Sequence, residues 1–302
     1  MRHLAILFLA SIIITACQDR DKNGKLLDSP TAGTIKIVVD ESLKPLIDAQ
    51  VNAFEAIYAQ AHVEVSYVDE RSAITSLLKD SARLAVISRP LSDEEKTVLT
   101  NQTIVPSELT IATGGIAIIR NLKAGDTVLT LSDLRAVLTE TENKSINMPS
   151  TVVFDNSNSG IVRFLQDTLA LDRPLAKHCF AVDGNAAVVD YVSNNANAMG
   201  LIDVSWISDR DDSTANRFLN TVKVVSVSSD SGYFQPYQAF IAQRKYPLVR
   251  DIIMISREAR MGLASGFMSF VASDRGQRIV LKSGLVPATM PIRIVEINHE
   301  PF

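Results

Sequence analysis

The stretch from Val152 to Leu165 reads VVFDNSNSGIVRFL, and its reading decides the fold class. Val152, Val153 and Phe154 form a short run of β-branched and aromatic residues, the composition of a buried strand. The chain then turns polar through Asp155, Asn156, Ser157, Asn158, Ser159 and Gly160, which reads as a turn. From Ile161 the apolar residues Ile161, Val162, Phe164, Leu165 and Leu169 recur at helical spacing. The first N–H groups of that helix have no partner inside it, so a strand, a small polar loop and a helix start make a seat for an anion. The same residues also suit a plain cap, because Ser157 or Ser159 can accept from those N–H groups.

Outward from this unit the pattern repeats. Thr34 to Val39 reads as a strand, followed by a helix from Leu43 to Ala59 with Pro45 in its first turn. Val63 to Val68 alternates in period two, Ser72 to Leu78 is helical, and Arg83 to Ile87 is a third strand. Ser92 and Glu95 have the spacing of a capping box. Strands are expected at 104–110 and 115–120 around Gly114 and Gly115, and a helix behind Ser132. Beyond the opening stretch follow a strand at 179–182, a helix at 185–192 and a strand at 198–203, where Gly200 permits close approach of another backbone. Residues 208–216 read as a solvated loop, 222–227 and 233–242 as strands, and 262–270 and 276–282 as helices. Alternating strands and helices predict an α/β fold with a mainly parallel sheet.

The chain of 302 residues begins with Arg2, an apolar run from Leu4 to Ile14, and small residues before Cys17. That arrangement resembles a bacterial lipoprotein signal, which implies a signal peptide at 1–16 and a lipid on Cys17. Residues 17–32 are polar and without hydrophobic period, the composition of a flexible tether. The formal charge is −4, or −5 once Arg2 leaves with the signal, which argues against bulk attraction for nucleic acid. Cys179 is the one cysteine besides Cys17, so no internal disulfide is expected in the lipidated chain, and buried structural cysteine is its reading. The four histidines show no ligand-like spacing, and neither a metal nor another cofactor is expected.

Several strings then line up in order: VISRPLSDEE (86–95), GGIAIIRN (114–121), LTLSDLRAVL (129–138), the SNSG loop (157–160), AMGLIDVSW (198–206), YPLVRDIIMI (246–255) and FMSFVASDRGQRIVLKSGLVP (267–287). Together they resemble the phosphate-binding (PstS-like) solute-binding lipoproteins of ABC uptake systems. The resemblance implies a type II periplasmic-binding-protein fold, two α/β lobes joined by a two-strand hinge. Lobe 1 would hold residues 33–114 and 228–302, and lobe 2 residues 115–227. It further implies a lipid-anchored monomer of the cell envelope, not an enzyme, that closes on a small oxyanion, phosphate above all, and delivers it to an ABC-type permease.

Carried over by position, the resemblance assigns ligand contact to Ser42, Ser88, Arg89, Asn156, Ser157, Asn158, Ser159 and Gly160. The sequence departs from the family at several of these places. Glu41 stands where a small hydroxyl residue is expected, Ser88 near the place of an acidic acceptor, Asp155 where relatives present an arginine, and Ile161 in place of a threonine. The loop at Glu70, Arg71, Ser72 and Ala73 lacks the family's glycines. A second reading is therefore a same-fold envelope module that binds another ligand or a protein partner and has lost the phosphate site. A serine hydrolase is the third, but Asn156 and Asn158 flank Ser157 in place of the glycines of a nucleophile elbow.

Overall fold

The computed structural model describes residues 28–125, 128–139 and 149–291. The expected signal at 1–16 and the lipidation of Cys17 lie outside the described residues. Among the described residues no helix is long and apolar enough to cross a membrane.

β1 (Ala32–Asp40) alternates burial as far as Ile37 and then runs buried on both faces to Asp40. One tight turn, Glu41–Leu43, leads into α1 (Lys44–Ile57), which carries Pro45 in its first turn and turns Leu46, Ile47, Gln50, Val51 and Phe54 inward. β2 (Gln60–Val68), α2 (Glu70–Leu78), β3 (Leu84–Ile87) and α3 (Asp93–Asn101) follow, α3 opened by the capping box of Ser92 and Glu95. Next come β4 (Ser107–Asn121), β5 (Val128–Leu129), α4 (Leu131–Thr139), β6 (Thr151–Phe154), α5 (Gly160–Thr168), β7 (Cys179–Ala181), α6 (Gly184–Asn194) and β8 (Ala198–Asp203). The chain closes through α7 (Ser205–Ser208), α8 (Ser213–Leu219), β9 (Val222–Val224), β10 (Ser226–Ser229), β11 (Gly232–Phe234), α9 (Gln238–Ala242), β12 (Val249–Ser256), α10 (Leu263–Ala272), α11 (Asp274–Lys282) and β13 (Val286–Pro287).

Two parallel sets of strands stand at the ends of one strand path, ordered β2-β1-β3-β12-β4-β8-β6-β7. β1 is parallel to β2 and β3, and β6 is parallel to β7 and β8. Between the sets, β12 and β4 run antiparallel to their neighbours. β4 changes partner in mid-strand: Ser107 to Gly115 pair with β12, and Ile116 to Arg120 pair with β8. The α/β expectation holds, with two lobes built on parallel sets, but the sheet is not mainly parallel, since β4 and β12 pair antiparallel with all their neighbours. The C-terminal ends of β1, β2, β3, β6 and β8 lead to Asp40, Glu70, Ser88, Asp155 and Asp203, and crevices at such ends are where open α/β sheets take ligands.

Several local expectations are corrected. The strands expected at 104–110 and 115–120 are one strand, because Gly114 and Gly115 lie in extended pairing with Arg250 and Val249. Thr130, not Ser132, caps α4, its hydroxyl accepting from Asp133 N–H at 3.0 Å. The loop read at 208–216 ends early, since Asp212 accepts from Thr214 and Ala215 and starts α8 at Ser213. The strand expected over 233–242 stops at Phe234, and Gln238 to Ala242 is helical beyond Pro236. At Gly200 the close neighbours are side chains, not backbone: a Cβ there would lie 2.7 Å from Val188 and 2.8 Å from Val192. Of the expected tether, residues 28–32 belong to the folded body, where Asp28 accepts from Leu263 N–H at 2.9 Å at the start of α10.

Candidate functional site

β1 ends in Asp40 because the backbone turns there, and the carboxylate caps that turn: Oδ1 accepts from Ser42 N–H at 3.0 Å. Its other oxygen crosses to the second lobe. Oδ2 accepts from Gly160 N–H, the first of α5, at 3.1 Å. Ser159 caps the same helix by accepting from Val162 N–H, as the cap reading expects, and a carboxylate of the chain itself stands at the helix start where an anion was expected. Glycine is required at 160, since a Cβ would lie 2.5 Å from Asp40 Oδ2, 2.6 Å from Ser88 Oγ and 2.7 Å from Glu70 Oε2.

Arginines tie this point together. Arg250 on β12 is buried, donates to Asp203 Oδ2 at 2.7 Å, and reaches Ser42 Oγ at 2.8 Å and Ser88 Oγ at 3.2 Å. Arg163, one turn into α5, donates to Glu70 and to Ser88 Oγ. Glu70 Oε2 in turn accepts from Ser88 N–H and Oγ–H. Beside them Glu41 accepts from Asn185 N–H and from its side-chain amide, which also donates to Asp155 at 3.3 Å. Trp206 Nε1 donates to Ser42 carbonyl at 2.9 Å. The bonds of Arg163 to Glu70 and Ser88, of Asn185 to Glu41 and of Trp206 to Ser42 join the two strand sets.

Charge is unevenly divided over the site. Burial pushes the Asp155 carboxyl up to about 7, reinforced by the charge of Asp40. Burial also raises Asp40 to about 6 against the opposing pull of Arg250, and raises Glu41. Glu70 goes the other way: burial pushes it up, but the hydrogen bond and charge of Arg163, with the Ser88 donors, more than offset that and hold it below the usual range. Proton affinity at both Asp40 and Asp155 is thus raised toward neutrality, and Asp155 Oδ1 is buried with no hydrogen-bond partner among the described residues. The two described histidines lie elsewhere, His62 beside Glu55 and His178 on the Val137 carbonyl, so no described histidine serves a serine here. Among the described residues no group of three or more His, Cys, Asp or Glu is arranged to hold a metal.

Ser42, Ser88, Ser159 and Gly160 are thus brought together, linked by Arg250, Arg163 and Asp40. Arg89 is held apart from the seat by a bidentate pair with Glu95, each bond 2.7 Å, and stands 3.8 Å from Glu70. Asn156, Ser157 and Asn158 are exposed on the loop before α5. Sequence reasoning missed Asp40, Glu70, Arg163, Asp203 and Arg250. The signal was there in two of them: Arg163 interrupts the apolar run after Gly160, and Arg250 stands on a strand whose later residues are nearly all apolar.

A family model described as a PBP superfamily domain matches residues 27–275. Among curated relatives, the phosphate-binding protein PstS of Staphylococcus epidermidis is 24% identical over 281 residues, covering 89% of this chain and 83% of the relative. The phosphate-binding protein PstS of Pseudomonas aeruginosa is 20% identical over 292 residues, covering 89% and 86%. Among solved structures, a putative phosphate ABC transporter substrate-binding protein with bound phosphate from Clostridium perfringens superposes with a TM-score of 0.72 at 22% identity, over 85% of this chain and 100% of that one. An ABC-type phosphate transport receptor from Vibrio cholerae gives 0.64 at 20% identity, over 84% and 100%. At these identities the structural likeness carries the fold.

Proposed function

The chain belongs to the PBP superfamily, and from that premise we propose that it is a solute-binding protein of the phosphate-uptake type, closing two lobes on a small oxyanion, phosphate first, for an ABC-type permease. We propose lobe limits of 33–114 with 228–302, and 115–227, and attachment to the envelope membrane through lipid on Cys17 of a monomeric chain. The reading is one of binding, not catalysis, in keeping with relatives named as phosphate-binding and transport proteins.

The observation that carries it is the convergence on one helix N-terminus of donors from both halves of the chain: Gly160 N–H, the hydroxyls of Ser42 and Ser88, and the guanidiniums of Arg250 and Arg163. An oxyanion entering this point takes the place of the Asp40 carboxylate, whose charge it cannot tolerate as a neighbour in a dry cleft. Protonation of Asp40 eases that exchange, and its raised pKa puts the proton within reach near neutral pH. Equilibrium dialysis of labelled phosphate against the purified protein tests the reading. Saturable binding of one phosphate per chain, competed by unlabelled phosphate, is expected; absence of binding at millimolar phosphate removes phosphate as the ligand.

The bond from Gly160 N–H to Asp40 favours a second reading, the module that has given up the phosphate site for another ligand or a protein partner. On that reading phosphate fails to bind even after the Asp40 charge is removed.

A further inference from the structure

Beside the seat the cleft opens into a cavity of about 380 Å3. That is space for roughly a dozen waters and falls within the range of small organic ligand sites. Both lobes wall it, α2 from one side, and the 157–159 loop with α5 from the other.

Its charge is opposite in balance to the seat's. Arg71, Arg89 and Arg163 line it against Glu70 and Glu95, whereas Asp40, Glu41, Asp155 and Asp203 crowd the seat around the single buried guanidinium of Arg250. Arg89 and Arg163 are engaged with Glu95 and Glu70. The guanidinium of Arg71 makes no ion pair or hydrogen bond with any described residue, and the same holds for the side chains of Ser157, Asn158 and Gln166, which line the cavity with it. Ile74 and Leu78 supply carbon surface between them. An unpaired cation flanked by two more, neutral donors and acceptors opposite, and an apolar patch between describe a complement to an anionic group carried on a small hydroxylated body.

Resting on the solute-binding reading above, we propose that the cleft takes a small organic phosphate ester in preference to free phosphate, its phosphoryl group on Arg71 with Arg89 and Arg163 behind it and its hydroxyls on Ser157, Asn158 and Gln166. The carboxylates of the floor oppose a bare dianion, and the mouth receives the ester.

Calorimetric titration of the full chain with inorganic phosphate, glycerol 3-phosphate, glucose 6-phosphate and gluconate, each against wild type and Arg71→Ala, tests this. Expected is at least one ester binding tenfold or more tighter than inorganic phosphate, with Arg71→Ala weakening that ester tenfold or more, changing phosphate less than twofold and leaving the melting temperature unaltered, since Arg71 is exposed and unpaired. Phosphate binding as tightly as both esters, or an ester insensitive to Arg71→Ala, overturns the inference and leaves the solute-binding reading standing. Gluconate matching the esters overturns the choice of a phosphoryl group. Binding by none of the anions overturns both.

Discussion

Asp40 and Gly160 are 120 positions apart in sequence, and the Asp40 carboxylate accepts the first N–H of the helix that Gly160 begins. A helix start that would hold an anion holds one supplied by the opposite lobe. Closing the cleft therefore does not leave that N–H or the Asp40 oxygen without a partner, and a ligand must compete with an internal group rather than fill an empty place.

The acid pair at the seat sets a pH dependence. Asp40 and Asp155 are pushed up to about 6 and about 7 in the folded chain, from the usual aspartate value of 3.8, chiefly because burial disfavours their charged forms. Groups raised in this way bind more protons folded than unfolded, so their contribution to stability is full below about pH 4 and is lost as pH rises through 6 to 7. Urea unfolding of wild type between pH 5 and 8 is expected to show stability falling by on the order of 3 kcal/mol. Asp155→Asn flattens that fall, and a wild-type profile rising over this window contradicts the burial of two charges at the seat. Glu70, held low by Arg163 and Ser88, acts in the opposite sense, its contribution being lost in more acid solution.

Arg250 and Asp203 form a buried ion pair at 2.7 Å, with exposures of 1% and 0%. Arg250→Met leaves Asp203 without its ion-pair partner and undoes the bonds to Ser42 and Ser88. The expected loss is about 3 to 5 kcal/mol by urea denaturation, and Asp203→Asn in the same chain restores part of it. A loss under about 1 kcal/mol shows that the pair does not hold the floor of the cleft.

Arg163 latches the lobes through Glu70 and Ser88. Arg163→Ala is expected to cost about 2 kcal/mol and to shift the ligand-free protein toward open forms, read as a larger radius of gyration by solution scattering. Unchanged scattering places the closing force elsewhere, in the Glu41–Asn185 and Trp206–Ser42 contacts.

Much of the architecture was legible because it rests on local pattern. The strand-loop-helix unit at 152–165, the capping box of Ser92 and Glu95, and the alternation that yields two parallel sets each follow from periodicity and turn chemistry. The joining of 104–110 and 115–120 into one strand was not legible, because two glycines read as a break unless partners on both sides hold them extended. At the site, Ser42 and Ser88 were singled out by the resemblance carried over by position, and Ser159 and Gly160 also because they stand where a helix starts. Asp40 escaped notice because a strand-terminal aspartate ordinarily caps its own turn, as it does at Ser42, and nothing local says that its second oxygen crosses 120 positions. Arg250 escaped because an arginine on a strand reads as an exposed residue until its strand is known to lie between the lobes.

Whether an oxyanion is received at this helix start is read from phosphate affinity, measured by calorimetry at pH 7.5 in wild type and Asp40→Asn. Asparagine keeps an acceptor for Gly160 N–H and removes the charge that opposes an entering anion. Phosphate binding is expected to tighten roughly tenfold or more in the variant. Affinity that is unchanged or weaker in the variant, or a variant that binds no phosphate at millimolar concentration, contradicts the proposal that an oxyanion is received where Asp40 meets Gly160.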